Sequence, residues 1–327
     1  MKEIFKSINE LKEDGFFELN EIDQTEYLRK NGFFKLDRND KIDFLEDLGL
    51  FYLDINEDPP TIPLNPEDVD YLRRKISSKI KSKITTKYAE HLVKKLIKEK
   101  KLIIKNVEGI ENMQNVKSGA ILTCNHFNPF DCFTMEMTFR MSGQNKNKKI
   151  YKIIREGNYT NFPGMYGFFF KNCDTLPLGT SKKALNYLLN AVDTILKEGN
   201  FILVYPEQSM WWNYKQPKPL KNGSFNFAVK SDVPVIPSFI TFNDSKIIGE
   251  DGSPIQEYTV HIGKPIYKDT NLSIKENIKM MRDRNYHFWK ETYEKVYGEK
   301  VKYSTVKHDN LPKYVEEFFD KFNADEL

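Results

Sequence analysis

The chain has 327 residues, of which 39% are hydrophobic and 30% charged, and it includes 24 Phe and 17 Tyr. This composition excludes a disordered or collagen-like chain, and the length suits one large or two modest globular domains. A formal net charge of +3 is too small to indicate a nucleic-acid partner by itself. Function must therefore be sought in local charge patterns and in motifs.

The three cysteines are too few for a disulfide framework, and none belongs to a CxxC pair or to a Cys/His run with zinc spacing. No metal is expected. The amino terminus is charged and lacks the apolar stretch of a signal peptide, and nowhere do 18 apolar residues follow one another. These features predict a cytoplasmic protein that can contact a membrane only peripherally.

Residues 1–64 are predicted to form an N-terminal helical extension of short helices separated by turns. Paired phenylalanines recur in it and are expected to pack onto a neighbouring part of the protein. Asn65 is followed by Pro66 and two acidic residues, which is the capping residue, first-turn proline and acidic first turn of a helix start. A long helical region is therefore expected to begin at this point.

The segment 71–101 is strongly basic. It contains twelve basic and two acidic residues, a local charge of +10, which leaves 3 − 10 = −7 for the rest of the chain. Its pattern has two interpretations: a basic amphipathic helix that lies on anionic lipid headgroups, or a solvated lysine face above a packed apolar stripe.

Apolar residues recur at every fourth position of this basic segment. Each four-residue step overshoots one helical turn by about 40°, so the stripe cannot stay on one face of a straight helix. A break is predicted between Ser82 and Thr86, where β-branched and hydroxyl residues lower helix propensity. The stripe consists of Leu72, Ile76, Ile80, Ile84, Tyr88, Leu92 and Leu96.

Beyond Asn106, short apolar runs alternate with helical segments, which predicts an α/β domain. One amphipathic helix is expected over 181–197, with Gly199 as its terminator. From about residue 271 the chain is again helical and charged. The candidate strands are 102–105, 120–123, 151–155, 201–205, 235–241 and 258–262.

Asn125, His126 and Asp131 follow directly on the strand predicted at 120–123, at the end where α/β folds place ligands. A histidine can take a proton from an alcohol, and an aspartate bonded to its other ring nitrogen would orient the ring and stabilise the imidazolium. The chain has no GxSxG nucleophile elbow, so the activated alcohol is expected on the substrate. A histidine and an aspartate five residues apart also occur by chance, so this pair alone is weak evidence of catalysis.

Two later segments accompany this pair: a strand that ends in Tyr205, Pro206 and Glu207, and a proline-bracketed strand at 233–237. In order and spacing these residues resemble the glycerophospholipid acyltransferases, the lysophosphatidic acid acyltransferase family, whose first motif is Asn-His, four residues, then Asp. The run at 262–266 resembles the strand that follows in that family. The resemblance covers residues 105–268.

The resemblance implies a mixed, largely parallel sheet flanked by helices, to which this chain adds the N-terminal helical region. It implies a catalytic domain over 105–268, preceded by the extension at 1–64 and a basic, membrane-docking region at 65–104. A C-terminal helical segment is expected over 269–327.

The resemblance also implies an O-acyltransferase of phospholipid biosynthesis. The enzyme would move a fatty acyl group from acyl-CoA or acyl-ACP to the hydroxyl of a lysophospholipid or related glycerolipid. His126 would be the general base, Asp131 would orient it, and backbone donors or Asn125 would hold the developing oxyanion. The thioester is a co-substrate, and no bound cofactor is expected. The expected partners are the lysolipid, the thioester donor, with acyl carrier protein as one carrier, and the anionic inner face of the membrane, but no nucleic acid.

The sequence departs from the family motif after Glu207, where Gln208 replaces a glycine, Ser209 replaces a threonine, and the arginine is missing. An arginine fork suits phosphate in a way that methionine cannot, so use of a simple phosphate acceptor is in question. Glu207 is expected to position the acceptor. The other candidate substrate-binding residues, each of which could instead be a plain surface or packing residue, are Pro206, Ser209, Lys171 and Arg155.

Two alternatives to acyl transfer remain open at this stage. One is a noncatalytic lipid-binding protein that retains the fold, which the altered third motif suggests. The other is a hydrolase that passes the acyl group from a lipid or thioester to water. Trp211, Trp212 and Tyr214 could likewise wall a pocket, rest at a membrane interface, or pack in the core.

Overall fold

The computed structural model describes residues 5–58, 61–250 and 252–304, and its centre is one seven-stranded sheet. The strands are β1 (Ile103–Glu108), β2 (Ala120–Thr123), β3 (Ile150–Arg155), β4 (Thr175–Leu178), β5 (Phe201–Val204), β6 (Val235–Ile248) and β7 (Pro254–Ile262). Their order across the sheet is β1-β7-β6-β2-β5-β3-β4. Only β6 and β7 pair antiparallel, whereas the other neighbours are parallel.

Helices flank this sheet and form most of the N-terminal region. They are α1 (Ile8–Glu13), α2 (Glu21–Lys30), α3 (Arg38–Asp47), α4 (Ile76–Lys98), α5 (Ile110–Gln114), α6 (Phe130–Met141), α7 (Glu156–Thr160), α8 (Gly164–Asn172), α9 (Lys182–Lys197), α10 (Gly223–Ser231) and α11 (Ile274–Tyr297). The prediction of an α/β fold with a mixed, largely parallel sheet and an added N-terminal helical region is confirmed.

Alternate residues of the central strands face two hydrophobic cores. Ile121 and Ile202 pack in a core with α9, α10 and α11, while Leu122 and Leu203 pack in a second core with α4, α5 and α6. Because side chains alternate along a strand, a run buried at every position must be covered on both faces. The near-continuous apolar runs of β2 and β5 thus specify a sheet between two helical layers.

The N-terminal helices share the first of these cores. One member of each phenylalanine pair, Phe16 and Phe33, is fully buried, whereas Phe17 is 36% exposed, and Phe51 stacks on Trp211 with ring centroids 5.5 Å apart. The extension therefore packs directly on the α/β domain. The boundaries assigned from the sequence stay a prediction, and the end of the C-terminal segment, 305–327, lies outside the described residues.

Two predictions about the basic region are wrong. Asn65 and Pro66 begin only a 3-10 turn, Pro66–Asp68, and the long helix starts at Ile76. That helix, α4, runs unbroken to Lys98. No break is needed because the hydroxyl residues face inward: Ser82 is buried and its hydroxyl donates to Asp174 Oδ1 at 3.1 Å.

The apolar stripe of α4 is largely exposed. The exposed fractions are 76% for Ile76, 55% for Ile80, 63% for Ile84 and 52% for Tyr88. The N-terminal half of α4 therefore does not form a packed apolar stripe beneath a solvated lysine face. No helix in the described part of the chain is long and apolar enough to cross a bilayer.

The sequence missed one strand and understated three, since β1 also runs three residues beyond its predicted end, to Glu108. The strand β4 is short and contains a proline, which is tolerated because β4 lies at the sheet edge. The pair β6 and β7 extends beyond the predicted ranges into exposed polar residues, where the apolar signal fades. The predicted helix 181–197 is confirmed as α9, with the Ser181 hydroxyl accepting from the backbone of Ala184.

Candidate active site

His126 and Asp131 meet at the carboxyl end of β2. Nδ1 of His126 lies 2.7 Å from Oδ2 of Asp131, which is in the first turn of α6 and has no exposed surface. With the carboxylate on Nδ1, the neutral ring carries its proton there and keeps a lone pair on Nε2. The His126 side chain is 27% exposed. The pair thus has the arrangement of a general base and its orienting acid.

The carboxylate of Asp131 is held by several donors besides the imidazole. Oδ2 accepts from the backbone N–H groups of Phe127 at 3.1 Å and Asn128 at 3.4 Å, and Oδ1 accepts from the Tyr205 hydroxyl at 2.8 Å. Asp131 is therefore fixed in position and suited to stabilise an imidazolium.

Tyr205 has a role that the sequence did not reveal. Its ring stacks on that of His126, with centroids 4.1 Å apart and an interplanar angle of 22°. Burial, followed by the charge of Asp131, raises the pKa of Tyr205 well above its usual value, so the hydroxyl remains a donor. The proximity of Tyr205 to His126 follows from the strand register. Thr123 pairs with Val204, so the residues after β2 and β5 lie side by side.

Asn125 does not occupy the expected position of an oxyanion donor. Its Oδ1 accepts from the backbone N–H of Ile240 at 2.8 Å, and its Nδ2 donates to the Ile240 carbonyl at 3.0 Å. The side chain is 3% exposed. Asn125 is thus better described as a clamp that ties the end of β2 to β6.

Glu207 is buried, and its carboxylate accepts hydrogen bonds from backbone N–H groups. Oε2 accepts from the N–H of His126 at 3.1 Å, and Oε1 accepts from the N–H of Lys218 at 2.8 Å. The ammonium of Lys218 lies 3.6 Å from Oε2 and donates to the carbonyl and hydroxyl of Ser209, both at 2.8 Å. Burial raises the pKa of Glu207 and lowers that of Lys218, and the ion pair opposes both shifts.

The predicted contacts of the third motif with an acceptor need correction. Glu207 is 2% exposed, Ser209 has no exposed surface and Pro206 is buried, so none of the three presents a side chain to a substrate. They instead hold the loop that supports His126. Trp211 is fully buried, which is the core-packing alternative, while Trp212 is 39% exposed.

Gln208 adopts a left-handed backbone conformation, with φ of +67°. Glycine adopts this conformation without steric cost, whereas other residues are strained in it. The glycine of the motif that this segment resembles would therefore adopt this conformation without strain. In this chain the turn is fastened by Arg155, whose Nη2 donates to the Gln208 carbonyl at 2.7 Å.

The two basic candidates lie in different places. Arg155, at the end of β3, is near the loop of the third motif but is surrounded by carboxylates. Lys171, on α8, lines a separate small cavity with Arg73 and Lys75, and His126 is not among its lining residues. The structure therefore does not bring Lys171 to the His126 pair. The described residues include no group of side chains that could hold a metal ion.

One comparison with known proteins matches a family to the sheet domain. A family model described as Acyltransferase matches residues 105–241. No curated protein sequence matches the chain. Among solved structures, the chain is similar to the 1-acyl-sn-glycerophosphate (LPA) acyltransferase PlsC from Thermotoga maritima, at 20% identity and a TM-score of 0.45, over 70% of this chain and 86% of that one. A similarity this distant indicates neither substrate nor mechanism.

Proposed function

We propose that the chain, whose residues 105–241 match a family model described as Acyltransferase, transfers a fatty acyl group from an acyl thioester to a glycerolipid hydroxyl. The observation that carries the proposal is the 2.7 Å contact between His126 Nδ1 and the buried Asp131, which leaves Nε2 for the substrate. Coenzyme A and acyl carrier protein are both suitable carriers of the donor.

In the proposed reaction, Nε2 of His126 takes the proton of the acceptor hydroxyl as its oxygen attacks the thioester carbonyl. Asp131 stabilises the imidazolium that forms, and backbone N–H groups stabilise the oxyanion of the tetrahedral intermediate. Collapse of the intermediate breaks the carbon–sulfur bond. The leaving thiolate then takes the proton from Nε2, which yields the ester and a free thiol and restores the neutral base.

The test is product analysis with defined donors and acceptors. Purified protein is incubated with acyl-CoA or acyl-ACP and a panel of lysolipids, and the products are identified by mass spectrometry. We expect acylated lipid and free thiol in equal amounts. Free fatty acid without acylated lipid would identify a hydrolase instead, and an intact thioester with every acceptor would identify a noncatalytic lipid-binding protein.

We further propose that α4 and α8 form a membrane-docking face. Ile76, Ile80, Ile84 and Tyr88 are exposed on α4, and the Tyr88 hydroxyl lies 3.9 Å from the sulfur of Met165 on α8. Met165 and Phe168 are also exposed, which extends the apolar surface across both helices. Four lysines, at positions 79, 81, 83 and 87, accompany the stripe. Exposed apolar residues among lysines suit the interface of an anionic membrane.

Charge reversal on this face is expected to weaken membrane binding. Juxtamembrane basic residues contribute about 1 kcal/mol each, so replacing Lys79, Lys81 and Lys83 by Glu should reduce affinity for anionic vesicles at least about tenfold at low salt. Vesicle sedimentation measures the change. The matched control reverses three exposed lysines elsewhere, Lys230, Lys275 and Lys279. Equal losses in the two triple variants, or no loss in the first, would contradict the docking face.

A further inference from the structure

A small polar cavity, which we call the Arg73 cavity, lies between the start of α4 and the end of α8. Its volume is about 180 Å³, far more than the roughly 15 Å³ that one water molecule requires. His126 is not among its lining residues, so the cavity is separate from the candidate active site. The charged side chains that line it are Arg73, Lys75, Lys81 and Lys171, with Asp68 and Asp70.

Arg73 is buried without a counter-charge. It is 7% exposed and forms no ion pair with any residue that the structure describes. Its hydrogen-bond partners are neutral: Nη2 donates to the carbonyls of Lys171 and Cys173, and the guanidinium also bonds the Tyr159 side chain. Neutral partners do not cancel the charge, and a buried charge is costly unless it is paired. The cavity beside Arg73 therefore favours an anion.

The formal charges of the lining sum to 4 − 2 = +2. Both carboxylates are occupied, since Asp68 accepts from the side-chain amide of Asn65 and Asp70 accepts from two backbone N–H groups. Asp174, which lies beyond the end of α8, is paired with Lys149 at 3.3 Å. Within the described part of the chain, the three lysines of the cavity form no ion pair. The positive charge is thus left for a ligand.

The start of α4 adds a partial positive charge. This helix has 23 residues, its first turn contains no acidic residue, and the side chain of its N-cap residue, Lys75, makes no capping bond. Ser78, in that first turn, lines the Arg73 cavity. The backbone N–H groups of a helix start attract anions, and a guanidinium with ammonium groups suits phosphate in particular.

Exposed apolar side chains border the Arg73 cavity on both helices. On α4, Ile76 and Ile80 are exposed, and each is adjacent in sequence to a lysine of the cavity. On α8, Phe168 is exposed, and its carbonyl accepts from the Nδ2 group of Asn172, which lines the cavity, at 2.9 Å. A free phosphate would gain nothing from these side chains, whereas the acyl chains of a lipid could lie along them.

We propose that the Arg73 cavity binds the head group of a membrane lipid whose phosphate is a monoester, as in phosphatidate. A phosphate monoester carries between one and two negative charges at neutral pH, which matches the lining charge. A phosphodiester lipid such as phosphatidylglycerol carries only one and has a head group that must also fit. The proposal rests on the membrane-docking face proposed above and names the lipid that this face selects.

The experiment measures vesicle sedimentation without a thioester donor. Phosphatidylcholine vesicles contain either phosphatidate or phosphatidylglycerol, in amounts that give equal surface potentials. We expect affinity for the phosphatidate vesicles to be at least about fivefold higher, the usual contribution of one basic residue at a membrane surface. Lys81→Met and Lys171→Met should each narrow this ratio about threefold, because each removes one charge-assisted contact with the phosphate.

The matched control is Lys83→Met, which removes an exposed lysine of the same helix that does not line the Arg73 cavity. It should weaken binding to both vesicle types equally and leave the ratio unchanged. Glycerol phosphate, at the concentration of the lipid phosphate, should not displace the protein from phosphatidate vesicles.

Each contrary result has a distinct meaning. Equal binding of the native chain to the two vesicle types would overturn the head-group site and leave the docking face standing, as would a ratio that neither Lys81→Met nor Lys171→Met moves. Displacement by glycerol phosphate would show a site for soluble phosphate esters and overturn the lipid ligand. No binding to either vesicle type would overturn the docking face, and the head-group site with it.

Discussion

Replacing His126 by alanine is expected to lower the turnover number for acyl transfer by about a hundred- to ten-thousand-fold, the usual contribution of a general base. Nδ1 of the His126 imidazole lies 2.7 Å from Oδ2 of Asp131, and removal of this ring leaves no base at this position. Release of free thiol from the donor, followed with saturating acceptor, measures the change.

The control for this variant is another histidine. His287 lies on α11 in an exposed pair with Glu291, so His287→Ala should retain the activity of the native chain. The His126 variant should remain folded, because Asp131 keeps its bonds from Phe127, Asn128 and Tyr205. Full turnover in a folded His126→Ala protein would eliminate the general-base mechanism.

Replacing Lys218 by methionine is expected to lower the free energy of unfolding by about 3 kcal/mol, at the low end of the 3–5 kcal/mol typical when one partner of a buried ion pair is removed. Lys218 is 1% exposed and Glu207 is 2% exposed, so the variant leaves a carboxylate without its counter-charge inside the protein. Two backbone N–H groups still bond Glu207, which limits the cost. Denaturant titration measures the loss.

Activity should fall with stability in this variant, because Glu207 holds the backbone of His126. Adding Glu207→Gln to Lys218→Met should restore part of the lost stability, since a neutral amide needs no counter-charge. Lys279→Met alters an exposed lysine on α11 and should change stability by no more than about 0.5 kcal/mol. If Lys218→Met loses no more stability than this control variant, the buried ion pair contributes little to the free energy of unfolding.

Features that are encoded within one short segment of the chain were predicted from the sequence, whereas features that depend on distant segments were not. The strands β2 and β5 were predicted because their apolar runs are local, and so was α9, whose Ser181 cap and single apolar face are read within one segment. The break predicted in α4 failed because the apolar stripe was required to stay on one face and local helix propensity was weighed without the helix's neighbours. Which face of a helix is buried depends on its neighbours, here the contact of Ser82 with Asp174.

The same distinction holds within the active site. Asp131 follows His126 by five residues, so a strand end and one helical turn suffice to bring them together, and the motif alone indicated the pair. The roles of Pro206, Glu207 and Ser209 were misjudged because a motif identifies a residue without saying which way its side chain points. Their burial and their partners, such as the ammonium of Lys218, became visible only in the packed loop.

The sequence by itself determined the class of fold and the pairing of His126 with Asp131, since both are written in short-range patterns. Only the tertiary structure decided the environment of that pair. Asp54 and Arg155 are 101 residues apart, and Phe51 and Ser209 are 158 apart. Such contacts arise when a separate helical region packs on the sheet, and no local pattern encodes them because their free energy depends on burial shared by distant segments.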